Sequence, residues 1–88
     1  MIIYKVEFTN KAVRSFLLLP KTIQEKIMFK LELLEKVPFA NNNNIKKLHG
    51  ISDAYRLRVG DYRILYKIHK SLNIIEVVNI AHRKEAYK

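Results

Sequence analysis

The chain has no cysteine. That excludes a disulfide framework, a thiol nucleophile and a cysteine-ligated metal site, and it makes a reducing cytoplasm the expected compartment. It has only two glycines, Gly50 and Gly60, so no glycine-rich phosphate loop is present. No HExxH sequence and no nucleophile-elbow serine occur, and the eight acidic residues (Glu7, Glu25, Glu32, Glu35, Asp53, Asp61, Glu76, Glu85) are scattered rather than clustered with histidines. A metal-dependent reaction is therefore not expected, and neither is a cofactor. The longest purely apolar run, Phe16 to Leu19, is far too short to span a bilayer, and Met1-Ile2-Ile3-Tyr4-Lys5 is not the start of a secretory signal. These absences lead to the expectation of a soluble, cytoplasmic protein with no membrane partner.

Positive charge is what the chain has in excess. Seventeen Lys and Arg residues against eight Asp and Glu give a net charge of +9 over 88 residues, which suits a polyanionic partner. At this length, with 49% hydrophobic residues, residues 1–88 are expected to form a single domain with one modest core. Lysines dominate the first half at helical spacings, as on a solvated face. Four of the five arginines, Arg56, Arg58, Arg63 and Arg83, fall in the second half. Clustered guanidinium groups, with their planar forks of donors, are the stronger phosphate signal.

Three of those arginines lie in Tyr55-Arg56-Leu57-Arg58-Val59-Gly60-Asp61-Tyr62-Arg63-Ile64-Leu65-Tyr66, a period-two pattern broken by Gly60-Asp61. Such a pattern reads as a β-hairpin with a two-residue turn. In that register Val59 opposes Tyr62, Arg58 opposes Arg63, Leu57 opposes Ile64 and Arg56 opposes Leu65. Tyr55, Leu57, Val59, Tyr62, Ile64 and Tyr66 then share a buried face, while Arg56, Arg58, Arg63 and Leu65 share the other. Like charges directly across two strands repel, so an anion is expected on the second face.

The remaining elements come in chain order. Residues 2 to 8 alternate as a strand. Thr9-Asn10 caps a short helix to about Leu18, with Val13, Phe16 and Leu17 as its apolar stripe, and Pro20 ends it. Thr22-Ile23-Gln24-Glu25 has capping-box spacing for a second helix. Its stripe of Ile23, Ile27, Leu31 and Leu34, widened by Phe29 and Leu33, runs to Val37-Pro38. Asn41-Asn42-Asn43-Asn44 reads as a surface loop. Lys46 and Lys47 then either extend the basic face or keep an edge soluble. After the hairpin and a turn at Lys70 to Asn73, Ile74 to Ala81 is apolar on both faces, as a central strand would be. The expected fold is α+β, with two N-terminal helices packed on a mostly antiparallel four-stranded sheet in the order β-α-α-β-β-β.

A basic sheet face beside the C-terminal His82-Arg83 and Tyr87 suits one metal-free reaction, cleavage of RNA by its own 2′-hydroxyl. The attacking group belongs to the substrate, so the protein need only align it, neutralise the phosphorane and move protons. DNA lacks that hydroxyl and would be inert. Arg56, Arg58 and Arg63 form a candidate anion site on that face, which Lys46 and Lys47 would extend, and Arg83, just past the last strand, reads evenly as a further site cation or as a simple surface charge. His82 has an intrinsic pKa suited to acid or base work, but a lone histidine at a strand end reads first as an ordinary polar cap. Tyr87 could stack on a base, donate a proton or pin the tail to the core.

Leu48-His49-Gly50, the hairpin residues just quoted, the apolar strand, and His82-Arg83 with Tyr87 together resemble the RelE/ParE superfamily of bacterial and archaeal toxins, across nearly the whole chain. The resemblance, nearer to the RelE branch, implies a RelE-like fold and a ribosome-dependent endoribonuclease that cuts messenger RNA and inhibits translation. It further implies a cognate acidic antitoxin, with the ribosome and mRNA as the other partners. Arg56 and Arg58 would take the places of basic residues on the first hairpin strand, Arg63 would contact the scissile phosphate, and Arg83 and Tyr87 would complete the site. The best-understood RelE-like site has lysines where this chain has Arg56 and Arg58, and arginine is a poor general base. A glutamate found upstream of the hairpin in another RelE-like subgroup is replaced here by asparagines. His82 then becomes the nearest candidate for proton transfer. The ParE branch implies a DNA gyrase inhibitor with no catalytic residue, and a third possibility is an inactive relative that binds only antitoxin or RNA.

Overall fold

A computed structural model describes residues 3–83. The elements run β1 (Lys5–Phe8), α1 (Asn10–Leu17), α2 (Lys21–Lys36), β2 (Ile45–Lys47), β3 (Ala54–Val59), β4 (Tyr62–His69) and β5 (Ile74–His82). The five strands make one sheet in the order β1-β5-β4-β3-β2, antiparallel except where β1 runs parallel to β5. The class is α+β, as expected, but with five strands rather than four. The added strand is Ile45–Lys47, whose three residues are too few to show an alternation in sequence. No helix among the described residues is long and apolar enough to cross a membrane.

Both helices lie against one face of the sheet. Ile27, Leu31 and Leu34 of α2 and Ala12 of α1 meet Leu57, Val59, Ile64, Tyr66, Ile68, Ile75, Val77 and Ile80 in a single core. Burying a side chain of this size contributes roughly 1.5–3 kcal/mol relative to exposure. The first helix turns by almost a residue from the expected stripe: Ala12 is fully buried and Phe16 packs on the core, while Val13 and Leu17 are exposed. Thr9 sets that phase, because its Oγ1 accepts the Ala12 amide at 3.1 Å. Phe29 and Leu33 do not widen the core stripe of α2. Both are exposed, on the helix face turned from the sheet's centre.

Thr22 and Glu25 form no capping box. α2 starts two residues earlier than that box would place it, with Pro20 in the cap position, and the Pro20 carbonyl accepts the amides of Ile23 and Gln24. It stops at Lys36 because a residue before proline, here Val37, leaves the helical region, with φ −134° and ψ 72°. Near its end, Glu35 uses a carboxylate oxygen to accept the Val6 amide at 2.9 Å, covering part of the free edge of β1.

The hairpin register matches the expectation pair for pair: Val59↔Tyr62, Arg58↔Arg63, Leu57↔Ile64, Arg56↔Leu65 and Tyr55↔Tyr66. Gly60 has φ +58°, and Asp61 is not among the positive-φ residues, the pattern of a type II′ turn. The β4–β5 ladder is less regular. Leu65 pairs Asn79 but Tyr66 pairs Val77, so Val78 bulges from β5 and side-chain parity reverses there. Ile75 and Val77 point to the helices before the bulge, and Ile80 does so after it.

Tyr66 stacks on Tyr55, with ring centroids 5.5 Å apart, and is 1% exposed. Its hydroxyl is buried without a hydrogen-bond partner among the described residues. Burial, with a smaller contribution from Tyr55, pushes its ionisation above the usual phenol range. The folded state thus holds this proton more tightly than the unfolded state. The corresponding stability is fully present below about pH 10, the ordinary phenol value, and is lost as the pH rises above it. Tyr66→Phe is expected to keep or gain stability at neutral pH, by up to about 1 kcal/mol, since it removes an unsatisfied buried hydroxyl. Urea unfolding at neutral and alkaline pH checks this: the wild type should lose more stability than the variant on crossing pH 10.

Candidate nucleic-acid interface

The face of the sheet opposite the helices carries the arginines. Arg56 and Arg58 on β3 and Arg63 on β4 project from it, as their pairing with Leu65 and with each other requires. Lys46 joins them because β2 places it opposite Arg56, whereas the next residue, Lys47, pairs with Tyr55 and belongs to the helix side. Strand pairing therefore separates the two adjacent lysines. A cleft of about 150 Å³ is lined by Arg56, Arg58, Arg63 and Lys46 together with Asn43 and Asn44.

Arg63 is the unusual member. It is 8% exposed, the one charged residue among the buried side chains described. Its Nη1 donates to the carbonyls of Tyr62 at 3.3 Å and, more weakly, Gly60 at 3.5 Å. Among the described residues the ion pairs are His69–Glu76 and Lys70–Asp53, and neither involves an arginine. A buried guanidinium without a carboxylate loses hydration that backbone carbonyls only partly replace. With Arg58 directly across the strand, the site is built to receive negative charge.

The asparagines entered this wall without a sequence signal beyond turn propensity. Asn42 Oδ1 accepts the Asn44 amide at 2.8 Å, an Asx turn, and the Asn44 carbonyl accepts the Arg58 amide at 2.7 Å. The loop is thereby tied to β3, and Asn43 and Asn44 supply amide donors and acceptors beside the cations.

Arg83 lies just past β5, where its amide bonds to the Asp61 carbonyl, at the turn end of the hairpin that also holds Arg63. His82 is not brought to the arginine cleft. It pairs with Tyr62, on the helix side, while Ala81 opposes Arg63. There it meets the Tyr62 ring edge-on at 5.2 Å and lines a separate hollow with Ser15, Leu18, Leu19, Tyr62 and Ile80. Tyr87 lies outside the described residues. Among those described, no group of three or more His, Asp or Glu side chains is placed to hold a metal ion.

Residues 6–87 match the family described as ParE toxin of type II toxin-antitoxin system, parDE. A protein of Methanocaldococcus jannaschii named as a RelE1 toxin is 29% identical over 86 residues, covering 97% of this chain and 96% of its own. RelE in the RelE–RelB complex of Pyrococcus horikoshii OT3 superposes with a TM-score of 0.82 at 27% identity, over 93% of this chain and 97% of that one. The isolated E. coli RelE toxin does so with a TM-score of 0.80 at 25% identity, over 96% and 90%. Since the family match runs through both helices, all five strands and the arginine hairpin, the chain belongs to the ParE toxin family of type II toxin–antitoxin systems and is built like the RelE toxins.

Proposed function

We propose that this RelE-like toxin is a ribosome-dependent endoribonuclease that cleaves mRNA by metal-independent attack of a 2′-hydroxyl. The observation that carries the reading is the buried Arg63 guanidinium, paired across the strand with Arg58 and facing no carboxylate among the described residues. A scissile phosphate supplies the missing charge. The 2′-hydroxyl gives up its proton as its oxygen bonds to the adjacent phosphorus, the P–O5′ bond breaks, the 5′-oxygen takes up a proton, and a 2′,3′-cyclic phosphate remains. Arg63, with Arg56, Arg58 and Arg83, neutralises the charge that builds on the phosphorane oxygens. Tyr87 is assigned to positioning the neighbouring base.

Proton transfer is the weaker half of this chemistry. Of the charged side chains lining the cleft, three are guanidinium groups that do not deprotonate, and only Lys46 is able to exchange a proton. The site therefore acts through alignment and charge, which suits a substrate already held in geometry by the ribosome. A cytoplasmic location follows from that target. The same positive face suits an acidic cognate antitoxin, in keeping with the RelE–RelB assembly of the Pyrococcus relative. A gyrase-inhibiting reading, in which this face binds protein and no residue is catalytic, draws on the ParE description of the family match.

Mapping messenger 5′ ends in a reconstituted translation mixture, beside a gyrase supercoiling assay, separates the two. New 5′ ends with supercoiling intact are expected; intact messages with supercoiling arrested would reject the nuclease. Arg63→Ala should lower cleavage by about a hundredfold or more, the scale of removing one transition-state donor, with an unchanged circular dichroism spectrum. Arg63→Lys, which keeps the charge but loses the fork, should fall between. His82→Gln should cleave at close to the wild-type rate, because that ring lies across the sheet from the phosphate cleft. A steep loss with the fold intact would return His82 to the reaction.

A further inference from the structure

A second and larger cleft, about 830 Å³, opens where α2 passes the turn end of β3. Glu25, Lys26, Phe29 and Lys30 line it from one helical face, at spacings of one, four and five residues from the first. Arg58 and Asn44 line it from the sheet side, and both also line the arginine cleft. Arg58 and Asn44 therefore form the boundary that the two clefts share at the edge of β3, just beyond the Ile45–Leu57 pair, where the Asn44 carbonyl accepts the Arg58 amide. Phe29 is 59% exposed, an aromatic ring set among Lys26, Lys30 and Arg58.

Cations tracking a groove around an exposed aromatic ring are the chemistry of a single-strand nucleic-acid path, where bases stack and phosphates meet lysines. We infer that the RNA strand held at the arginine cleft continues around the β3 edge into the α2 cleft, where Phe29 stacks on a base and Lys26 and Lys30 take flanking phosphates. The inference rests on reading the arginine cleft as the RNA site. Arg58 is the shared point, so a strand leaving one cleft enters the other without leaving positive charge. An amphipathic protein segment would fit elsewhere better. The apolar groove further along α2, with Leu33, Leu34, Val37, Ala40, Ile45 and Leu57, offers several apolar side chains, whereas Phe29 stands among charges. Glu25 is the one carboxylate in the α2 cleft and opposes a phosphate beside it, which places the strand nearer the two lysines.

Uncleavable 2′-O-methyl oligouridylates from about 4 to about 12 nucleotides, the range of single-strand site sizes, measure this by fluorescence anisotropy. Affinity for the wild-type protein is expected to rise with length as the strand reaches the second cleft. Phe29→Ala should cost roughly tenfold on the long oligonucleotide, the scale of one base–aromatic stack, and far less on the short one. Phe29→Trp should restore the length increment, and Phe29→Leu should not, since a leucine keeps apolar area but has no ring face. Replacing Lys26 and Lys30 by alanine should flatten the salt dependence by about 1.4 in logarithmic slope, at about 0.7 for each phosphate no longer neutralised. Length-independent binding, or Phe29→Leu equal to wild type, overturns the inference. So does a Phe29→Ala variant that binds long oligonucleotide normally but loses affinity for the antitoxin, which would make the cleft a protein site. Cleavage is read separately. Intact messages with a length increment would reject the nuclease and keep the path; cleavage without the increment would do the reverse.

Discussion

The pairing of Arg58 with Arg63 across the Gly60-Asp61 turn is the constraint on which both halves of the molecule depend. A two-residue type II′ turn allows one register, and a slip of a single residue would exchange the two faces. The register that buries Leu57, Val59, Ile64 and Tyr66 against the helices must also gather Arg56, Arg58 and Arg63 on the other side. Core and anion site are one decision. The helices stabilise it with apolar burial, and that burial keeps two arginines directly cross-strand against the mutual repulsion of their charges.

A second decision is made on β5. Alternation from Ile75 and Val77 would carry Asn79 and Ala81 to the helices and send His82 to the arginine face. The bulge at Val78 reverses this, burying Ile80 and turning His82 toward α1. One extra residue thus removes the nearest histidine from the arginine cleft. It also lets the chain pass the hairpin turn with Arg83 bonded to Asp61.

These two features show why the sequence was legible in one place and not the other. The hairpin carries its register in its own residues: alternation on both strands and a glycine where positive φ is needed. Ile74 to Ala81 is apolar on both faces, so Val77-Val78-Asn79 gives no parity for a bulge to break visibly. Lys46 and Lys47 were ambiguous for a related reason, since a three-residue strand is too short to declare its faces, and only pairing with Arg56 and Tyr55 separates them. The phase of α1 turned on whether Ala12 or Val13 faced the sheet, a difference in helix rotation that a hydrophobic stripe resolves poorly. Asn43 and Asn44 could be read as turn formers but not as cleft walls, because their position depends on a bond to Arg58 distant in sequence.

The folded chain therefore presents a site rich in charge and poor in proton acceptors. Three guanidinium groups, one lysine and two amides line the arginine cleft. On the proposed reading such a lining would bind a phosphate strongly in its ground state as well as in its transition state, and uniform binding of that kind does not accelerate a reaction. Rate must come from geometry. Arg63 is already fixed against the Gly60 and Tyr62 carbonyls, so in the proposed reaction its charge would be placed before the substrate arrives and would reorganise little when the phosphorane forms. Arg58, exposed and shared with the α2 cleft, is free to serve the strand's passage instead. On the proposed nuclease reading, burial therefore divides labour between two paired arginines: the fixed one would favour the transition state, and the exposed one would favour binding.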